Sequence, residues 1–195
     1  MKPDQAQLRE VASVALGITL RGADASRHDP AGTHQLIRIG DLSEDGTVHC
    51  PESSLIKLDP ETASRSALKQ GDVLLAARGT RMTAGLFEGY KPAVAGGQFL
   101  VIRPRTNILL ADYLRWFLNL PSTQETLVGR ARGSYVRSLP ASALGELEIP
   151  IPPLPQQHAI AALHALRLRE KDLMARLASH RAILFDQSIL HSFRA

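Results

Sequence analysis

Two short stretches of the chain bring together side chains suited to gripping phosphates and base edges. Arg78-Gly79-Thr80-Arg81 sets two guanidinium groups and a hydroxyl around a glycine, directly after an apolar run. Gly129 to Pro140, GRARGSYVRSLP, gathers Arg130, Arg132 and Arg137 around Ser134 and Tyr135. Arginine's planar fork matches both a phosphate and the O6/N7 edge of guanine, and hydroxyls can contact backbone or bases. The candidate contact set is therefore Arg78, Thr80, Arg81, Arg130, Arg132, Ser134, Tyr135 and Arg137. An ordinary hairpin tip, or a surface loop whose arginines pair with carboxylates, would have the same composition.

The charge distribution sharpens this. Of the 195 residues, positions 1–75 hold 8 Lys/Arg against 11 Asp/Glu, 76–140 hold 9 against 3, and 141–195 hold 6 against 5. A basic middle beside an acidic front implies one positive face. Charge alone leaves nucleic acid and a merely solvated basic surface equally open.

Other chemistries find little purchase. The chain has no glycine-rich cofactor loop, P-loop or nucleophile elbow. No H-x-x-H or C-x-x-C spacing offers zinc ligands, and His28, His34 and His49 read as loop or edge residues. The one Pro-Pro, in Ile151-Pro152-Pro153-Leu154, lacks the preceding acid or amide and the following aromatic of an amino-methyltransferase motif. The expectation is no catalytic residue, no metal and no cofactor. Cys50 is the only cysteine, the start MKPDQAQLRE is polar, and no apolar run reaches membrane-spanning length. A soluble cytoplasmic protein is expected.

The elements that must position these loops come in mixed order. Residues 4–15 predict a helix with Leu8, Val11, Ala12 and Ala15 on one face. Leu36, Ile37 and Ile39 mark a strand, followed by a turn at Asp45-Gly46 and a second strand. Pro60 to Lys69 suits a short helix ended by Gly71. Asp72 to Ala77 reads as a buried strand leading into Arg78. Phe99 to Arg103 is a further strand behind Gly96-Gly97. Leu110 to Leu120 is a helix whose Tyr113, Trp116 and Phe117 suit core packing, Pro121 to Val128 is another, and Glu146 to Ile151 is a last strand.

After Pro155 neither proline nor glycine recurs, and Gln156 to Ser192 is rich in strong helix formers. About 36 helical residues would run roughly 54 Å, too long for one small core. Ala159, Leu163, Leu166, Leu173, Leu177 and Leu184 follow steps of three and four, a coiled-coil seam interrupted by Glu170 and His180. The expected fold is a mixed α+β globular domain over residues 1–150, a proline-rich connector over 151–155, and one long helix over 156–195. That helix would form a coiled coil with a partner.

In this order and spacing the pieces resemble a known family. IPIPPLPQQHAIA, LIRIGDLSEDG, KQGDVLLAARG, GGQFLVIRP, ADYLRWFLNLPSTQETLVGRARGS and SLPASALGELEIP together are similar to the specificity subunit of type I restriction-modification systems, nearly end to end. The resemblance implies a subunit without catalysis, whose globular target-recognition domains each read one half of a split site in double-stranded DNA. Long helices would set the domain spacing and dock modification subunits that methylate adenine with S-adenosylmethionine. A restriction subunit would join for cleavage. Family members commonly carry two recognition domains and two helical regions, and this sequence holds one of each. It is expected to be a half-length subunit or a fragment, with two copies pairing as a two-fold dimer through antiparallel helices. Leu163, Leu166, Glu170, Leu173, Leu177, His180 and Leu184 would form that contact. Rival readings are a free-standing dimeric DNA-binding regulator and a protein-interaction scaffold without a DNA role.

Overall fold

The computed structural model describes residues 4–19, 29–50, 54–79, 81–133 and 137–192. The chain divides into two compact units, Met1–His158 and Ala159–Ala195.

The first unit is a mixed α+β domain, as expected. Its largest sheet has the order β2-β8-β5-β6, formed by β2 (Ala12–Leu16), β8 (Phe99–Pro104), β5 (Val73–Ala76) and β6 (Ala84–Leu86), and every pairing is antiparallel. A second sheet sets β3 (His34–Ile37) between β4 (Leu55–Ile56) and β7 (Ala93–Ala95), with β3 and β7 parallel. Successive side chains of a strand point to opposite faces. In β3 both faces are buried: Ile37 packs with Leu74, Phe87 and Phe99, while Leu36 packs with Ile56 and Val94. That is why Leu36 and Ile37, though on opposite faces, are both apolar.

The N-terminal segment departs from expectation. Residues 4–15 do not form one helix. They split into β1 (Asp4–Gln7), a single helical turn α1 (Leu8–Val11), and β2. β1 pairs with β9 (Glu148–Ile151), matching Ala6 to Ile149, and β2 pairs over five residues with β8. Leu8, Val11 and Ala12 are buried, so the apolar pattern marks core positions. Its helical spacing was overridden by strands more than eighty residues away. Ile39 also leaves its strand, in a 3-10 turn over Ile39–Asp41. Residues around Val48 form two isolated bridges, Leu42 to Val48 and Thr47 to Leu86, in place of a second strand.

The remaining helices are α2 (Pro60–Ser66), α3 (Ala111–Leu118), α4 (Pro121–Arg130), α5 (Ala141–Gly145) and α6 (Leu154–Ser192). The connector expected over 151–155 shrinks, because Ile151 closes β9 and α6 opens at Leu154. α3 packs on the large sheet through Tyr113, Leu114 and Leu118, all buried, and Trp116 and Phe117 are half-buried.

Three side-chain amides tie these layers together. Asn119 accepts from Ala84 N at 3.0 Å and donates to Ala84 O at 2.8 Å. Gln124 does the same to Met82, at 3.1 and 2.8 Å. Met82 and Ala84 are alternate residues, so the two amides satisfy one edge of the segment running from Met82 into β6. Gln157, in the first turn of α6, is fully buried. It accepts from Leu110 N at 2.9 Å and donates to Ile108 O and Pro152 O at 2.8 Å each.

One buried charge is also fully satisfied. Asp72, at 1% exposure, takes two hydrogen bonds from the Arg103 guanidinium, at 2.7 and 2.6 Å, and one from Lys69 N at 2.8 Å. The hydrogen bond to Asp72 raises the Arg103 pKa further, against the opposing effect of burial.

Removing the Gln157 amide would strand three backbone groups. Gln157→Ala is expected to lower stability by about 2–4 kcal/mol, read by urea denaturation through the fluorescence of Trp116. A loss below about 1 kcal/mol would mean that water replaces the amide at no cost.

Candidate nucleic-acid interface

β5 is buried through Ala76, and the chain surfaces at Arg78, which is exposed. Gly79 then turns at φ 109°, a conformation that L side chains rarely adopt. At this turn the first basic stretch meets the second. Leu139 N donates to Ala77 O at 2.8 Å, and Gly79 N donates to Arg137 O at 3.0 Å. Ser138 in turn exchanges two bonds with Arg132, at 2.8 and 2.9 Å. Bridges therefore run from Arg78 to Ser138 and from Ser138 to Arg132, both antiparallel. Leu139, buried, pins the middle segment to the core.

Residues directly opposite across strands share a face. Arg78 and Arg132 therefore lie on the same side, one on each flank of Ser138. At the usual strand spacing their Cα atoms are about 10 Å apart. Arg137, one residue along, belongs to the opposite face. Arg78, Arg132 and Arg137 are all exposed, and none of them pairs with a carboxylate among the described residues. Gly133, next to Arg132, has φ 111°. Ser134 and Tyr135, like Thr80, lie outside the described residues.

The other two arginines of the set have partners in the protein. Arg81 meets Glu44 at 3.1 Å, and both side chains are largely exposed. Such pairs open readily. Arg130 is half-buried at the end of α4 and donates to Ala143 O of α5 at 3.0 Å. It helps fasten one helix to the next.

Beside Arg78 opens a cleft of about 640 Å³. Arg38, Gln98, Thr19 and Asp41 line it, with the backbone of Gly96 and Gly97. It forms where β2, β3 and β7 end together: Ile18 N donates to Ala95 O at 2.8 Å, and Gly96 N donates to Ile37 O at 2.9 Å. The approach is close enough that a Cβ on Gly17 would collide with Gly96 O. Asp41 accepts from Arg38 N at 2.7 Å and so fixes the turn that carries Arg38 to the cleft. Arginine and glutamine are the side chains that match guanine and adenine edges. Arg38, Gln98 and Thr19 were absent from the sequence-derived set. The only signal for them was position, each just after a strand or beside Gly96-Gly97.

Burial, and then the negative charge of Asp41, push the Cys50 thiol up, which disfavours the thiolate. Among the described residues, no three of His, Cys, Asp and Glu are grouped to hold a metal, and no helix is long and apolar enough to cross a membrane.

Comparisons with known proteins agree with the fold. Residues 5–168 match the family described as the type I restriction modification DNA specificity domain. No curated protein matches. Among solved structures, one chain from work on the assembly and conformational transition of the type I R-M system superposes with a TM-score of 0.68 at 17% identity, over 89% of this chain and 40% of that one. The HsdS subunit from Thermoanaerobacter tengcongensis gives 0.58 at 16% identity, over 86% and 37%. The S subunit of a type I system from M. genitalium gives 0.56 at 18%, over 84% and 41%. The chain thus spans about two fifths of the length of these three proteins.

The arginines should separate by role. Arg132→Ala and Arg137→Ala are expected to leave stability within about 0.5 kcal/mol of the parent. Arg130→Ala should lose about 1–2 kcal/mol with its bond to α5. Thermal melts of the three variants check this, and equal melting of all three would remove the distinction.

Proposed function

The chain belongs to the type I restriction modification DNA specificity domain family, and on that footing we propose that it is a sequence-recognition subunit reading one half of a split site in double-stranded DNA. The observation that carries the reading is the ladder Arg132–Ser138–Arg78, which presents two arginines on one face with no carboxylate partner among the described residues. Arg137 and the openable Arg81 add positive charge nearby, suited to phosphates. The cleft with Arg38 and Gln98 lies beside Arg78 and supplies groups suited to base edges. Phosphate contacts would fix register, and base contacts would select sequence.

The subunit carries no catalysis in this reading. Methylation of adenine belongs to a partner modification subunit that uses S-adenosylmethionine, cleavage to a restriction subunit, and the assembly works in the cytoplasm. Two copies joined through α6 would together supply the two recognition domains that longer family members carry in one chain. Two identical readers under two-fold symmetry would select a site with inverted half-sites.

Selection from a random duplex pool, with the modification subunit of the same system present, is expected to return two inverted half-sites at one fixed spacing. Against that duplex Arg78→Ala and Arg132→Ala should each weaken binding. Loss of a base contact costs about 1–3 kcal/mol and relaxes one position, whereas loss of a phosphate contact lowers the salt slope by about one unit. Unchanged affinity in both variants, or no enrichment at low salt, would overturn the reading.

A further inference from the structure

The second unit is the greater part of α6. Every residue described from Lys171 to Gln187 is exposed. The five seam leucines, Leu163, Leu166, Leu173, Leu177 and Leu184, are between 45% and 68% exposed. In heptad terms Leu163, Glu170, Leu177 and Leu184 occupy one seam position, and Leu166, Leu173, His180 and Gln187 the other. The two polar intruders therefore fall on different seam positions. That detail restricts how a second copy can lie on this helix.

A parallel pair would stack Glu170 on Glu170 and His180 on His180, setting like groups against each other in the seam. An antiparallel pair sets one seam position against the other, and successive registers differ by one heptad. One register places Glu170 against Leu173 of the second copy and His180 against its Leu163, so four layers press a polar side chain onto leucine. The next register places Glu170 against His180 of the second copy, Leu173 against its Leu177, and Leu166 against its Leu184. By two-fold symmetry each layer occurs twice. Leu163 then meets the neutral Gln187 and Ala159 meets His191, both towards the ends of the overlap.

We infer that two copies of this chain pair through α6 in antiparallel fashion, in the single register where Glu170 of each meets His180 of the other. This rests on the self-pairing proposed above and adds the register to it. A carboxylate leaving water requires a donor, and the imidazole N–H of the second copy's His180 supplies it in this register alone. The flanks weigh slightly against this register, since by symmetry they bring three pairs of arginines together in it and two in the other. Arg167 faces Arg181 of the second copy, and the two Arg176 side chains face each other, in the preferred alignment. Arg169 faces Arg176 of the second copy in the other. All are exposed and free to turn towards water. Arg176 also has Asp172 of its own helix at 3.0 Å. The polar layers lie about 7 Å from the two-fold axis on each side, at 1.5 Å per residue. A slip by one heptad would lose both at once, so two residues fix the register.

The test uses the full chain with Cys50→Ser as background. Light scattering first establishes the mass: a dimer is expected, and the Leu173→Lys/Leu177→Lys variant should be monomeric with the globular unit still folded. A monomeric parent, or a dimer indifferent to that variant, removes self-pairing and the register with it. Register is then read by mild oxidation of mixed single-cysteine variants. Leu173→Cys mixed with Leu177→Cys should give the cross-linked dimer, and Leu166→Cys mixed with Leu177→Cys should not. The reverse result leaves the dimer standing and overturns the register. Charge exchange supplies a second readout. Glu170→Lys and His180→Glu should each raise the dimer dissociation constant about tenfold or more, and the double variant should return to within about threefold of the parent. Additive losses would overturn the Glu170–His180 pairing.

Discussion

A four-bond backbone junction holds the basic surface around Arg78 and Arg132 together. Ala77 and Gly79 bind Leu139 and Arg137, and Ser138 binds Arg132, so segments more than fifty residues apart become neighbouring rungs. Without those bonds, Arg78 and Arg132 would sit on two independent loops and pay separate ordering entropies on meeting a duplex. With them, the pair has a fixed spacing set by strand geometry. The junction itself depends on the core. Leu139 is buried, and Ala77 N donates to Gln98 O at 2.8 Å. The same tie brings the Gly96-Gly97 turn and its cleft next to Arg78. Surface chemistry here follows from where buried strands stop.

The side-chain amides follow the same logic. A strand edge inside a protein needs hydrogen-bonding partners, and an open one invites association. Asn119 and Gln124 supply partners to alternate residues of the segment before and within β6, acting as an added strand made of side chains. They sit at the corner between α3 and α4, so one corner both closes the sheet and starts the helix that ends at Arg130. Gln157 serves the segment 108–110 and Pro152 in the same manner. A glutamine at that point makes the first turn of α6 part of the globular unit, which matches the inclusion of residues up to His158 in that unit.

What could be read from the chain alone follows from the range of the forces involved. The strands β5 and β8 and the helices α3, α4 and α6 are specified by local pattern, and sequence reading placed each of them. Residues 4–15 were not legible. Their apolar spacing fits a helix, but β9 and β8 offer pairing partners that only the folded chain assembles. The two basic loops were visible as compositions, yet their joining through Ser138 was not, because backbone bonds leave no side-chain signature. Arg130 looked the same as Arg132 in sequence, and only the proximity of Ala143 O distinguishes their tasks. Arg38 and Gln98 were invisible as site residues, since their place depends on three strands ending at one point.

The long helix raises a different question, that of what keeps it formed. An isolated helix in water is marginal, and most helical stability in proteins comes from burying one face. From Ala159 onward the described residues of α6 are mostly exposed, including leucines that a solvated helix would have no reason to align at coiled-coil spacing. Single i,i+4 pairs such as Arg176 with Asp172 contribute only about 0.3–0.5 kcal/mol. A seam of five exposed leucines has far more to gain, on the order of 1.5–3 kcal/mol for each side chain fully covered. The aligned leucines therefore point to a covered state as the one in which this helix is stable. The polar residues within the seam reduce that gain, and a position that weakens an interface while narrowing its alignments is how coiled coils select one partner geometry over many.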